Sequence, residues 1–209
     1  IPKIIASHDA ISLSAFKKIN ASLNPIQKLK WYILYKQRRG IESSYFPLFD
    51  ACTVVSDEDK NFLEKHCHNL RIEVIPSGVD VDFFNPNTNQ DDECSEPIIG
   101  FFGTMSYYVH VDAALFFCSK IFPLIKEKFP NLKFYIVGRK PPSAISRLSN
   151  TGNVIVTGGV NDMRPYISKS TVVVSPIRLG SGIKNTVLQA MSMAKPVVAT
   201  TQAIRAINV

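Results

Sequence analysis

Cysteine is scarce in this chain, with four in 209 residues, and no uninterrupted apolar run approaches 18 residues. Without such a run, no segment is expected to cross a membrane as a helix. Cys52, Cys67, Cys94 and Cys118 show neither C-x-x-C spacing nor a histidine at zinc-finger distance. They are therefore expected as free thiols in a reducing compartment. His66, His68 and His110 have no carboxylate cluster beside them, so no metal site is expected. A G-x-S-x-G elbow is missing, which leaves acyl transfer nothing to rest on. Also missing are the G-x-x-x-x-G-K-[ST] spacing of a Walker loop and the third glycine of a dinucleotide fingerprint.

Acid is almost absent from the first 39 residues, where Asp9 stands against eight Lys and Arg, among them Lys17, Lys18, Arg38 and Arg39. The rest of the chain balances 16 basic against 16 acidic residues, so the whole net charge of +7 lies in this first fifth. Beside Trp31, Tyr32 and Tyr35 the cluster is open to several readings. It suits an anionic membrane surface, an acidic substrate or nucleic acid, or else it is a solvated helix face.

What is present is a regular alternation of short apolar runs and helical stretches. Residues 3–7 read as a strand ending at His8-Asp9, with Ser12 as cap of a helix to Asn20. Pro25 opens a second helix to about Tyr45, and residues 50–55 form a strand. Ser56 caps a helix over 57–66, and residues 73–75 are a strand closed by Pro76, Ser77 and Gly78. The polar stretch 85–96 reads as a linker, which gives domains over 1–84 and 97–209. Strands are then expected at 97–103, 133–137, 153–157, 171–175 and 196–200, with helices at 111–128, 143–149, 163–169 and 184–193. This is the pattern of an α/β fold with a doubly wound parallel sheet, in which ligands bind beyond the carboxyl ends of the strands.

The loops at those ends carry the chemistry. Ser175-Pro176-Ile177-Arg178-Leu179-Gly180-Ser181-Gly182-Ile183-Lys184 joins a strand to a helix through glycines, with Arg178 and Lys184 beside the turn. Glycines allow close backbone approach, and free N–H groups at a helix start attract anions. A tight turn with no ligand is the competing reading. Gly138-Arg139-Lys140 places two more cations at a strand end, and Gly103-Thr104 adds a flexible turn. Together these loops form a candidate diphosphate pocket. His8-Asp9 ends a strand of the other half; it is either a turn with a capping Asp or a pair facing the same cleft.

Several segments carry a family resemblance. Ile75-Pro76-Ser77-Gly78-Val79-Asp80, followed by Phe83, Phe84 and Pro86, resembles the segment just before the second domain of family 4, or group 1, glycosyltransferases. Thr53-Val54-Val55-Ser56 with Asp59, the run from Val156 to Tyr166, and the run from Val187 to Thr200 are similar to further segments of that family, in the same order. The resemblance lies nearest to the exopolysaccharide and PEP-CTERM-associated sugar transferases.

It implies a GT-B fold of two Rossmann-like domains facing a cleft, the first incomplete and the second without its C-terminal helices. It also implies a nucleotide-diphosphate sugar as donor and a saccharide or lipid-linked acceptor. Transfer would be metal-independent and retaining, with no cofactor. By the same resemblance His8, Arg178 and Lys184 are the expected catalytic groups. Gly103, Thr104, Arg139, Lys140, Val160, Gly180, Ser181, Gly182 and Gln189 are the expected donor contacts. The chain departs from the family pattern at Gln189, where the family has a ribose-holding Glu, and at Thr186, where it has Lys. These departures keep a non-catalytic nucleotide-sugar-binding relic as an alternative, beside that of a GT-B nucleotide-sugar epimerase. Nucleic acid is not an expected partner. The expected location is cytoplasmic, with residues 17–39 against the inner face of the plasma membrane. The chain starts without Met and almost inside a strand, and it is read as a piece of a longer enzyme.

Overall fold

Asn24 starts the longest helix of the first half. Its side chain accepts hydrogen bonds from the N–H groups of Ile26 and Gln27 at 2.9 and 3.4 Å, and Pro25 occupies a position whose N–H would lack a partner. This computed structural model describes residues 1–89, 96–180 and 182–207. Its contacts divide the chain into two units. The first comprises Ile1–Ser77 and Leu179–Ile183, with the described residues from Arg205 on; the second comprises Gly78–Arg178 and Lys184–Ile204.

In the first unit β1 (Ile4–His8) leads to α1 (Ile11–Ala21) and α2 (Pro25–Tyr45). A 3₁₀ turn (Phe46–Leu48) precedes β2 (Ala51–Val54), α3 (Asp57–Glu64) and β3 (Arg71–Val74). The three strands form a parallel sheet in the order β1-β2-β3. Leu13, Phe46, Cys52, Val54, Leu63 and Ile72 build the core, and Cys52 and Cys67 are free and buried.

Two buried carboxylates link elements distant in sequence. Glu42 of α2 accepts the backbone N–H of Ser12 at 2.9 Å and the Ser12 hydroxyl, and lies 2.7 Å from His66 Nε2. Ser12 is therefore not the cap of α1; Ala10 holds that position, and Ser12 is the second residue of the helix, turned to Glu42. Asp59 accepts the Ala10 N–H at 2.9 Å and the Ser56 hydroxyl, while Ser56 caps α3 as the sequence predicts. Burial pushes the Asp59 carboxyl up, against the lowering effect of the Ser56 and Ala10 hydrogen bonds.

The second unit follows the expected alternation, with strands β4 (Ile98–Phe102), β5 (Lys133–Val137), β6 (Val154–Gly158), β7 (Val172–Ser175) and β8 (Val197–Ala199). All pair in parallel, in the order β6-β5-β4-β7-β8. Its helices are α4 (Tyr108–Phe116), α5 (Phe122–Lys128), α6 (Ser143–Ser146), α7 (Arg164–Lys169), α8 (Asn185–Ser192) and α9 (Thr201–Ile204). Side chains alternate along each strand, so the sheet carries two apolar layers. Phe101, Phe134, Ile136 and Val174 face the layer of α4, α5 and α6, whereas Phe102, Val137 and Val173 face α7 and α8. With both faces covered, all five residues of β4 are buried.

Residues 108–128 form one helix, in which a π turn (Phe117–Ile121) joins α4 to α5. Pro123, which has no N–H to give to the turn before it, accounts for the change of ladder. Contrary to the expectation from apolar runs, these 21 residues are long and apolar enough to cross a membrane by length and composition. Ala113, Ala114, Phe117 and Phe122 nonetheless pack into the core beneath the sheet.

The change of unit falls after Ser77, ahead of the stretch 85–96 read as the linker. The reason is local packing. Arg164 of α7 stacks over the Phe83 ring at 3.8 Å, Ser192 of α8 hydrogen-bonds the Phe84 carbonyl, and Phe84 joins the apolar layer there. Residues 90–95, Cys94 among them, lie outside the described residues.

Candidate donor site

Strand order creates the site in the second unit. From β4 the chain moves to β5 and β6 on one side, then to β7 and β8 on the other. The connections leave in opposite directions between β4 and β7, and the gap this opens at the carboxyl ends is the usual ligand position of such sheets.

At that edge two loops touch through their backbones. A Cβ on Gly138 would overlap the Gly103 carbonyl oxygen. The Gly103 N–H bonds Val137 O at 3.1 Å, and the Met105 N–H bonds Arg139 O at 3.0 Å. Gly138 N–H in turn reaches Gly158 O at 3.0 Å, so the ends of β4, β5 and β6 are tied together. Arg139 lies against Gly159, and Lys140 adopts a left-handed φ of 57°. That conformation is uncommon for a residue with a Cβ and fixes where Lys140 projects from the loop. Val160 packs into the layer beneath α7 and α8.

Across the gap, Lys184 is the N-cap residue of α8, whose first N–H groups carry the positive end of the helix dipole. Its charge acts on His110, a residue left unassigned by sequence reasoning. His110 Nδ1 is 2.9 Å from the Thr104 carbonyl oxygen, and the ring lies against Gly103. Burial first, and Lys184 second, hold the imidazole below the usual histidine range. Two buried oxygens, Gln189 Oε1 on α8 and Ser175 Oγ at the end of β7, have no hydrogen-bond partner among the described residues. Buried polar atoms are normally paired, and orphans of this kind are common at ligand sites.

Arg178 is placed differently from the expectation. Its guanidinium grips Asp112 of α4 through Nε and Nη2, at 3.1 and 2.7 Å, and stacks on the Phe116 ring at 4.2 Å. The pairing cancels much of the charge that the sequence assigned to the phosphate loop.

The remaining predicted residues belong to the first unit. Gly180 has a φ of 109°, and its carbonyl accepts Lys17 Nζ at 3.2 Å. Gly182 has a φ of 71°, and any Cβ there would run into the Asp9 carboxylate. His8 ends β1 exposed, with a φ of 59°, and its carbonyl accepts the Val55 N–H at 2.8 Å. Ser181 lies outside the described residues.

Comparison with known proteins gives this geometry a family. The model of the glycosyl transferases group 1 matches residues 96–208. An uncharacterised glycosyltransferase of Methanocaldococcus jannaschii is 24% identical over 227 residues, covering 94% of this chain and 55% of that protein. The crystal structure of WaaG, a glycosyltransferase involved in lipopolysaccharide biosynthesis, superposes with a TM-score of 0.71 at 14% identity. That match covers 97% of this chain and 58% of WaaG. HepE of Anabaena, in complex with UDP and glucose, gives a TM-score of 0.63 at 14% identity over 95% of this chain and 52% of HepE. The chain thus spans about half the length of the relatives it matches, and its architecture is that of the GT-B glycosyltransferases.

Proposed function

We propose that this chain, which belongs to the family of group 1 glycosyl transferases, carries the donor site of an enzyme that moves a sugar from a nucleoside diphosphate to a saccharide or glycolipid acceptor. The observation that carries this reading is the open strand edge between β4 and β7, with Lys184 at the start of α8 and the unpartnered Gln189 Oε1 one turn beyond. HepE, of similar fold, binds UDP and glucose.

As the bond from sugar to diphosphate breaks, negative charge grows on the leaving group. Lys184 and the first N–H groups of α8 stand where fixed positive charge counters it, which supports transfer without a metal. Arg139 and Lys140 supply further positive charge from the β5 end, and the main chain at Val160 suits the base. The touching backbones of Gly103 and Gly138 hold the ends of β4 and β5 together beside this opening. Gln189 takes the place of the family's ribose-holding Glu: its buried Oε1 accepts a hydroxyl proton without a full charge. Arg178 acts on this reading through its hold on Asp112 and α4 unless the donor draws it away. His8 is assigned to the face of the transferred sugar, with retention of configuration.

Calorimetric titration with UDP tests the site. Saturable binding is expected, weakened about tenfold or more by Lys184→Ala, the worth of one charge-assisted hydrogen bond. Absence of a binding signal from the intact chain would remove the donor-site reading. Product analysis with a nucleotide sugar and no acceptor separates transfer from epimerisation.

A second observation supports work at the cytoplasmic face of a membrane. Ile26, Leu29 and Ile33 are exposed at helical spacing along α2, Leu23 is exposed just ahead of that helix, and Lys30 and Lys36 flank the stripe. An apolar stripe edged by cations suits an anionic lipid surface. Sedimentation with phosphatidylglycerol vesicles is expected to exceed that with phosphatidylcholine, and equal binding would sink the idea.

A further inference from the structure

The cations of the first fifth do not all lie on the lipid-facing stripe. Four basic side chains line an open cavity of about 750 Å³ beside α1, α2 and α3 in the first unit: Lys17, Arg39, Lys65 and Arg205. One carboxylate, Glu58, shares the same wall. Lys17 Nζ is 2.7 Å from Glu58 Oε2, and Arg205 Nη1 is 3.5 Å from Glu58 Oε1. One acid thus serves two cations and leaves the cavity strongly positive.

Arg39 and Lys65 are held by aromatic groups instead of acids. Arg39 Nη1 donates to Tyr35 Oη at 3.3 Å, and Lys65 Nζ lies 5.9 Å from the centre of the Phe62 ring. Neither contact neutralises a charge. Phe16 ties the floor together, with ring centres 5.5 Å from Tyr35 and 5.6 Å from Phe62. Three rings and two cations that have no carboxylate partner among the described residues thus line one cavity.

The chemistry of the walls defines the occupant. Aromatic faces stack on the apolar face of a sugar ring, and Asn20 and Asn61 offer the paired donors and acceptors that hydroxyls need. The surplus positive charge calls for an anion on that sugar, and the planar fork of Arg39 matches a carboxylate or phosphate. We propose that this cavity binds a saccharide bearing an anionic group, and that this acidic saccharide is the acceptor. The word acceptor rests on the transferase reading above; the binding of an acidic sugar does not.

The test is calorimetric titration of the intact 209-residue chain with four probes: tetragalacturonate, glucose 6-phosphate, neutral maltotetraose and inorganic phosphate. At least one acidic sugar is expected to bind about tenfold or more tighter than maltotetraose and inorganic phosphate, with affinity falling as salt is raised. A preference for tetragalacturonate identifies a carboxylate, and a preference for glucose 6-phosphate identifies a phosphate. Arg39→Gln and Lys65→Gln are each expected to weaken that binding about tenfold, and Lys65→Arg to restore most of it.

Equal affinity for neutral and acidic sugars would overturn the proposal, as would inorganic phosphate matching the sugars. So would unchanged affinity in both charge-removing variants. UDP titrated in parallel reads the donor site of the second unit and is expected to be indifferent to these variants. If UDP fails to bind while an acidic sugar binds, the transferase reading falls and the saccharide site stands. If UDP binds and every acidic sugar fails, the reverse holds.

Discussion

The two units solve the same problem, a parallel sheet with helices against it, by different means. The second relies on apolar layers: five strands alternate between two faces, and each face is covered by helices. Among the described residues the first has three strands, and it joins its elements through buried carboxylates, with Glu42 bridging α1, α2 and His66 and Asp59 bridging α3 and the start of α1. Apolar packing tolerates many substitutions of similar volume, whereas a buried carboxylate demands particular partners. The difference teaches that the first unit is built around the placement of α1 and α2, the helices that carry its cations.

The comparison breaks most readily at Glu42. Glu42→Ala leaves His66 Nε2 and two Ser12 donors without their acceptor in a site closed to water. Removing one partner of a buried pair of this kind costs about 3–5 kcal/mol. Hydrogen exchange is expected to show loss of protection over α1, α2 and α3, with the second unit little changed. A cost below about 1 kcal/mol would mean that the first unit, too, stands on its apolar core.

Legibility in the sequence follows the same division. Strand and helix positions of the second unit were readable because alternation, glycine and proline act within a few residues; Lys133–Val137, for one, lies where the pattern put it. In the first unit Pro25–Tyr45 was readable for the same reason, through its Asn24 and Pro25 start. Ser12 was misread as a cap because its partner lies 30 residues away, and nothing local distinguishes a capping serine from one turned to a distant acid. In the second unit, the strand-end loops that hold Gly103, Gly138 and Lys184 could be located from the alternation of strands and helices alone. That Arg178 would pair with Asp112, 66 residues before it, could not. Nor could the involvement of His110, which depends on how α4 passes Gly103. The left-handed turns at His8 and Lys140 carry no composition signal either, since glycine is the usual marker and neither residue is one.

The next largest effect belongs to the second unit and tests whether its glycines shape the site. Gly138→Val would force a branched side chain into the Gly103 carbonyl, an overpacking worth about 1–3 kcal/mol. UDP affinity is expected to fall with it, because β4 and β5 ends must move apart. Urea unfolding followed together with UDP calorimetry separates the two losses. Unchanged affinity in a destabilised variant would mean that the close approach serves packing alone.

A smaller change sharpens the first-unit side. Asn24→Ala removes the acceptor for the Ile26 and Gln27 N–H groups at the start of α2, a loss of about 1 kcal/mol. Fraying is expected to be confined to the turn holding Ile26 and Leu29, so phosphatidylglycerol vesicle binding drops while UDP affinity holds. If both properties moved together, α2 could not be treated as a feature of the first unit alone.

The smallest expected effect is a difference in sign. Burial and Lys184 hold His110 below its ordinary value of 6.5, so in the window beneath that value the folded second unit binds fewer protons there than the unfolded chain does. Its contribution is complete above pH 6.5 and is lost as pH falls through the folded value. Asp59 in the first unit is raised above 3.8, chiefly by burial, so there the folded state holds the extra proton. Its contribution is present at low pH and declines as pH rises from 3.8 through the folded value. Mild acidification from neutrality is therefore expected to loosen the second unit before the first. Hydrogen exchange at pH 7 and at successively lower pH, corrected for the intrinsic rate, reads each unit separately. His110→Asn is expected to flatten the response around β4 and α4 and leave α1 to α3 unchanged. An undiminished pH response in that variant would place the titrating group elsewhere and remove His110 from the account of why the two units differ.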